Sequence, residues 1–125
     1  MIRDVIDLQV YKNALGNLPL VYDLAIQIPE SHRKLRSQII ECGESIPAHI
    51  AEGYGKKRSE KEFKRFLEIA MGTSDELITH VHVAEILAIR IVRINRKLCY
   101  VLVERYKIES KQLQQLIKNW KTYSY

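Results

Sequence analysis

Residues 45–59 read SIPAHIAEGYGKKRS, and this stretch decides the fold. Apolar residues spaced three and four apart lead into it and resume after it, which is the pattern of two amphipathic helices. Between these helices the chain turns at Gly53 and Gly55, and the turn carries the cations Lys56, Lys57 and Arg58. The stretch therefore predicts two packed helices joined by a short basic turn.

The ends of the two central helices can be assigned from single residues. The helix before the turn starts near Ser31, and we expect it to end at Gly53, because glycine adopts the left-handed conformation that closes many helices. The helix after the turn starts with a capping box, in which the Ser59 hydroxyl and the Glu62 carboxylate each accept from a free backbone N–H. Its apolar face comprises Phe63, Phe66, Leu67, Ala70, Leu77, Val81, Ala84 and Leu87.

Two further helices flank this pair. The first ends before Pro29, because the residue before a proline is displaced from the α region. Its predicted apolar face comprises Leu8, Tyr11, Leu15, Leu18, Tyr22 and Ala25. The last helix begins at Asn95, a good N-cap, and continues towards Trp120. Because the connections are short, we predict an all-α, up-down antiparallel four-helix bundle.

The composition is that of one soluble domain. The chain has 125 residues, which we assign to a single domain, 1–125, and 46% of them are hydrophobic. No run of about 18 apolar residues occurs and no signal peptide is evident, so we expect a cytoplasmic protein that does not bind membranes. Cys42 and Cys99 lack CxxC spacing and are expected to be small buried hydrophobes, not a disulfide or a metal pair.

Sequence motifs of catalysis are missing. A di-iron bundle needs Glu-x-x-His units, whereas this chain has the reverse order, His49-x-x-Glu52. His80 and His82 are two residues apart on a helix and therefore point in different directions. A glycine-rich phosphate loop and a nucleophile elbow are also lacking. We expect no enzymatic activity, catalytic residue, cofactor or bound metal, and a metal-dependent enzyme is the least favoured hypothesis.

The polar residues around the turn are assigned a structural role. We expect this motif, Ser45, His49, Glu52, Gly53 and Gly55, to set the joint between the two central helices. Glu52 is expected to accept from backbone N–H groups of the turn or to pair with one of its cations, because polar groups on a packed helix need partners. Either arrangement would fix the direction in which the next helix departs.

Three segments together point to a family. Residues 7–12 read DLQVYK, residues 45–53 read SIPAHIAEG, and a Phe-x-x-Phe-Leu motif starts at Phe63. This combination resembles the bacterial 23S rRNA intervening-sequence proteins, which usually have Asn at the position of His49 and Leu at that of Ser74. The resemblance implies a four-helix bundle assembled as a homopentameric ring, with no established enzymatic activity. Some distant pentamers look like accessory factors that bind nucleic acid and a reverse transcriptase.

The basic residues suggest a function. The formal net charge is +5, and six cations lie within ten positions near the turn, with only Glu60 and Glu62 against them. These cations are Lys56, Lys57, Arg58, Lys61, Lys64 and Arg65. In an oligomer, repeated patches would bind an RNA or DNA backbone through many weak contacts. We predict a homo-oligomer, favouring a pentamer, that binds nucleic acid. The alternative is a protein-interaction scaffold or accessory subunit, for example to a reverse transcriptase, without direct nucleic-acid binding.

Overall fold

The structure, a computed structural model, describes residues 2–121 and contains four long helices. Helix α1 spans Gln9–Gln27, α2 spans Arg33–Tyr54, α3 spans Glu60–Leu87 and α4 spans Arg96–Asn119. Single turns of 3-10 helix, Val5–Asp7 and Glu30–His32, precede α1 and α2. No strand occurs in this part of the chain, so the predicted all-helical class is confirmed.

The helices are arranged as a four-helix bundle. Helices α1 and α3 each lie against both α2 and α4, and within residues 2–121 the diagonal pairs make no close backbone contact. We call the end that contains the α2–α3 turn the joint end. At the opposite end, the Arg93 Nε donates to the Gln27 carbonyl at 2.9 Å and ties the α3–α4 connection to the end of α1. Each of these helices is too polar or too short to span a membrane.

The buried faces of α2 and α3 agree with the sequence pattern. One core cluster draws side chains from all four helices. The buried residues that α2 and α3 contribute include Ile39, Ile46, Ile50, Phe63, Leu67, Ala70, Leu77, Val81 and Ala84. In each of these helices most apolar residues follow one series, which Ser74 interrupts on α3, so the pattern still indicates a single face.

The buried face of α1 differs from the predicted one. Leu15 and Tyr22 of the predicted face are 41% and 42% exposed. The buried residues are Val10, Ala14, Asn17, Val21, Leu24 and Ala25. Helix α1 carries two apolar series offset by one residue, and Asn17 interrupts the buried one, so the pattern favoured the wrong series. The core accommodates Asn17 because its Oδ1 accepts from the Arg105 guanidinium at 3.2 Å.

Gly53 lies inside α2 and does not end it. No residue in the described range has a positive φ, so the predicted left-handed cap is wrong. Helix α2 continues to Tyr54, and its C-cap, Gly55, has a right-handed φ of −63°. Gly53 is buried against α3, where a Cβ on residue 53 would lie 2.6 Å from the Cβ of Phe66. A glycine is therefore required here for the close approach of two helices.

The caps of α3 and α4 match the prediction in part. The Ser59 Oγ accepts from the Glu62 N–H at 3.2 Å, as expected for an N-cap. The Glu62 carboxylate does not complete the capping box, because it accepts from Arg65 at 2.9 Å. For α4 the Asn95 Oδ1 accepts from the Leu98 N–H at 3.0 Å, which confirms the predicted start.

Candidate nucleic-acid interface

The six predicted cations all lie at the joint end. Residues 56–58 form the turn between α2 and α3, and all three side chains are exposed. The other three follow on the first two turns of α3, where Lys61 and Arg65 are exposed and Lys64 is half-buried. The local fold produces this cluster, because Ser59 starts α3 directly after the turn and keeps the six residues within a short stretch of backbone.

Two aromatic rings support three of these cations. The Lys57 Nζ lies 4.2 Å from the centroid of the Tyr54 ring. The Phe66 ring lies 5.5 Å from the Lys56 Nζ and 4.5 Å from the Arg65 Cζ. Such cation–π contacts restrict the cations without neutralising them. Because both rings are themselves buried, they do not offer the exposed faces on which nucleic-acid bases stack.

Two of the six cations are paired with glutamates. Arg65 donates to Glu62 at 2.9 Å, and the Lys64 Nζ lies 3.8 Å from a Glu60 carboxylate oxygen. The hydrogen bond from Arg65 lowers the pKa of Glu62, so this carboxylate stays ionised at neutral pH. Within residues 2–121, neither Arg58 nor Lys61 has an ion-pair partner. Arg58 in the turn and Lys61 in the first turn of α3 therefore carry charge that no ion pair within residues 2–121 compensates.

Aromatic packing brings the end of α4 to the same place. The Trp120 ring meets the Phe63 ring edge-on, with centroids 4.8 Å apart. Phe63 also contacts Tyr54, at 6.2 Å between centroids. Lys118 and Lys121, both exposed, thus lie at the joint end as well. These two lysines were not among the predicted site residues, although the antiparallel order of the helices was a signal for them.

The residues of the predicted structural motif lie in different surroundings. Ser45 and His49 line a cavity of about 230 Å³ between α2 and α3, whereas Gly53 packs on α3 and Gly55 is exposed at the start of the turn. Glu52 is exposed, and no hydrogen bond or ion pair joins it to the turn among the described residues. Instead Glu62 and, more weakly, Glu52 raise the pKa of Arg65.

A cluster that the sequence analysis missed lies beside this cavity. The Cys42 Sγ donates to the Glu76 Oε2 at 3.2 Å, and the His80 Nε2 lies 3.2 Å from the same oxygen. Cys42 is buried as predicted, and burial together with Glu76 raises its pKa to about 12. Among residues 2–121, these three side chains form a group that could hold a metal ion. The four-residue spacing of Glu76 and His80 was visible, but their meeting with Cys42 depends on the register between α2 and α3.

A family model described as 23S rRNA-intervening sequence protein matches residues 6–122. The chain belongs to this family. The match includes all four helices and both groups of predicted site residues. No curated protein matches the chain significantly.

His49 and Ser74, the two residues at which the resemblance breaks, lie in different surroundings. The His49 Nδ1 is buried and has no hydrogen-bond partner among the described residues. Ser74 is fully buried, and its Oγ donates to the Tyr106 carbonyl at 3.1 Å and accepts from the Ser110 Oγ at 2.8 Å. Ser74 is thus a satisfied polar residue of the core, whereas His49 leaves one ring nitrogen unpaired.

Proposed function

We propose that the protein is a non-enzymatic homo-oligomer that binds the phosphate backbone of nucleic acid through the basic turn and the start of α3. The observation that carries this proposal is the exposed cation cluster at the joint end. Lys56, Lys57 and Arg65 lie over buried rings. Arg58 and Lys61 have no ion-pair partner within residues 2–121. Lysine and arginine side chains of this kind bind phosphates and release counterions from the nucleic acid.

The proposed contact is to the backbone and not to the bases. Base-specific binding to single strands uses exposed aromatic rings or groove contacts. At the joint end Tyr54 and Phe66 are only 8% and 7% exposed. The family's description refers to an intervening sequence of 23S rRNA, so structured RNA is the first ligand to test.

An oligomer is favoured by apolar side chains that the single chain leaves uncovered. Val83 and Ile86 lie in the last two turns of α3, Ile89 and Val92 follow the helix, and Val92 is 93% exposed. Val83 and Ile86 line the same surface pocket, and exposed apolar surface of this kind is characteristic of contacts between proteins. The family resemblance implies a ring of five chains. In such a ring each basic turn would be repeated five times, and weak phosphate contacts would add through avidity.

The same apolar surface supports a second candidate function. A protein-interaction scaffold or accessory subunit would use residues 83–92 for a different protein, for example a polymerase, and would need no nucleic acid. Reversal of the charge of residues 56–58 separates the two functions, because it removes nucleic-acid binding and leaves capture of a protein partner intact.

Fluorescence anisotropy with labelled structured RNA and with duplex DNA tests the proposed function. We expect binding at about 50 mM salt that weakens steeply towards physiological salt, because each phosphate contact releases counterions. The triple variant Lys56→Glu, Lys57→Glu, Arg58→Glu should lose this binding. Absence of binding of the unaltered protein at about 50 mM salt would contradict the proposal.

A control of equal charge is available at the opposite end. Lys34, Arg96 and Lys97 are exposed there, and their reversal to glutamate changes the net charge by the same amount. We expect this variant to retain most of the affinity. An equal loss in both triple variants would show that binding depends on total charge and not on the joint end. Light scattering tests the ring, which should have five times the 14.6 kDa of one chain.

A further inference from the structure

Three side chains of different metal-binding chemistry meet between α2 and α3. Cys42 comes from α2, and Glu76 and His80 come from successive turns of one face of α3. Their ligand atoms, a sulfur, a carboxylate oxygen and an imidazole nitrogen, all lie within 4.8 Å of one another. Because residues four apart lie on the same side of a helix, α3 presents Glu76 and His80 together to the one cysteine of α2.

We propose that Cys42, Glu76 and His80 form a zinc-binding site. A zinc ion accepts thiolate, imidazole and carboxylate ligands at about 2.0–2.3 Å, so its ligand atoms stand roughly 3.3–3.6 Å apart in a tetrahedral arrangement. The sulfur-to-oxygen and nitrogen-to-oxygen distances here are both 3.2 Å. Two of the three edges of the ligand triangle are therefore within a few tenths of an ångström of the required length.

The donor set selects among metals. A thiolate disfavours Mg²⁺ and Ca²⁺, which prefer oxygen ligands, whereas one sulfur, one nitrogen and one oxygen suit zinc. Cys42 is 5% exposed, and the side chains of His80 and Glu76 are 17% and 60% exposed. The site is thus closed on the side of Cys42 and open on the side of Glu76, which gives an ion a path from solvent.

The binding reaction involves one proton and no oxidant. Zinc forms a bond to the Cys42 sulfur, and the thiol proton that Cys42 donates to Glu76 in the metal-free protein is released to solvent. Glu76 binds as a carboxylate and His80 as a neutral imidazole through its Nε2. Cys42 and Glu76 also line the cavity of about 230 Å³ between α2 and α3, which has room for a water molecule as the fourth ligand.

His49 is not a ligand of the same ion. It lies seven residues along α2 from Cys42, which corresponds to about 10 Å of helical rise. Its place in the wall of the same cavity nevertheless joins the zinc site to the segment that carries the family resemblance. A bound ion would cross-link α2 to α3 on this wall, so zinc should raise the thermal stability of the bundle. This inference is independent of nucleic-acid binding, which uses the joint end.

Zinc titration of the metal-free protein against a chromophoric chelator tests the site. We expect one zinc ion per chain and a rise in Tm with zinc. Cobalt substituted for zinc should show a thiolate-to-cobalt charge-transfer band, which reports the Cys42 sulfur directly. Binding well below one equivalent, or cobalt bound without that band, would overturn the proposal.

Variants with matched controls locate the site. Cys42→Ser should abolish the band, and Glu76→Gln and His80→Ala should weaken binding by about tenfold or more. Cys99→Ser and His82→Ala should leave it unchanged, because Cys99 is a separate buried thiol and His82 pairs with Glu85 at 2.9 Å. Glu76 is a surface residue, so its variant folds even if Cys42→Ser does not. Undiminished binding by Glu76→Gln and His80→Ala would contradict the assignment.

Discussion

Gly53 of α2 faces Phe66 of α3 at a distance that excludes any side chain on residue 53. A Cβ there would lie 2.6 Å from the Cβ of Phe66 and 3.2 Å from a ring carbon of Phe63. The first of these is a rigid atom attached to the backbone, so relief requires the two helices to separate. The contact holds α2 and α3 together directly before the basic turn and thereby fixes the base of the proposed interface.

We predict that Gly53→Ala destabilises the fold. The added methyl group overpacks the contact, and overpacking of a core costs about 1–3 kcal/mol in the free energy of unfolding. This loss should exceed the gain in helix propensity of about 1 kcal/mol that alanine brings over glycine. Urea unfolding followed by circular dichroism measures the difference.

Gly72→Ala is the matched control for this prediction. Gly72 is exposed inside α3, and an added Cβ would meet nothing within 4 Å. It should therefore show only the helix-propensity gain and be more stable than the unaltered protein. If both alanine variants are equally stabilised, Gly53 is not required for close packing.

The sequence predicted those parts of the fold in which one local signal dominates. Most apolar residues of α2 and of α3 follow one series in each helix. Ser59 and Asn95 are caps whose hydrogen bonds reach only three residues along the chain. The buried face of α1 was not predicted, because the hydrogen-bond partner that lets Asn17 be buried, Arg105, lies on another helix. No pattern within α1 contains that information.

The limits of prediction for the site have the same physical origin. The basic turn is contiguous in sequence, so its position at the joint end followed from the helix boundaries. To predict that Cys42 meets Glu76 and His80, one must know the register between α2 and α3, which no local pattern contains. To predict the role of Gly53, one must know the distance between α2 and α3, because a glycine that ends a helix and a glycine at a close helix contact look alike in sequence.

A buried glutamate should make stability depend on pH. Glu109 of α4 is fully buried, and neither of its carboxylate oxygens has a hydrogen-bond partner within the described residues. Burial raises its pKa to about 8, from an ordinary value of 4.5. The folded state therefore holds a proton that the unfolded state releases, so stability is greatest below pH 4.5 for this group and falls as pH rises to about 8. The loss amounts to about 3 kcal/mol at pH 7.

We predict that Glu109→Gln removes this pH dependence, because the amide cannot ionise. Urea unfolding at several pH values measures the free energy of unfolding of both proteins. The variant should become increasingly more stable than the unaltered protein between about pH 5 and 8. Glu104→Gln is the control, since Glu104 is an exposed residue of the same helix and should differ by less than about 0.5 kcal/mol. An advantage of Glu109→Gln that is constant with pH would contradict the assignment.

The buried serine of α3 should resist replacement by leucine. Ser74 is fully buried and bonds to the Tyr106 carbonyl and to Ser110, so the surrounding core fits a small polar side chain. We expect Ser74→Leu to cost about 1–3 kcal/mol through overpacking and Ser74→Ala to cost about 1 kcal/mol through a lost hydrogen bond. Thermal unfolding compares both with Thr79→Ala, an exposed control on the same helix. A more stable Ser74→Leu variant would show that the core has room for leucine.

Ion pairing should rank the cations of the joint end by their effect on nucleic-acid binding. Arg58 and Lys61 have no ion-pair partner among residues 2–121, whereas Lys64 and Arg65 each pair with a glutamate. We predict that the double variant Arg58→Gln, Lys61→Gln weakens RNA binding more than Lys64→Gln, Arg65→Gln, although both remove two charges. In each variant, the slope of log affinity against log salt concentration should become shallower by about one for each phosphate-contacting lysine or arginine removed. Anisotropy titrations over a series of salt concentrations measure both effects, and equal losses would mean that the glutamates do not compensate their partners.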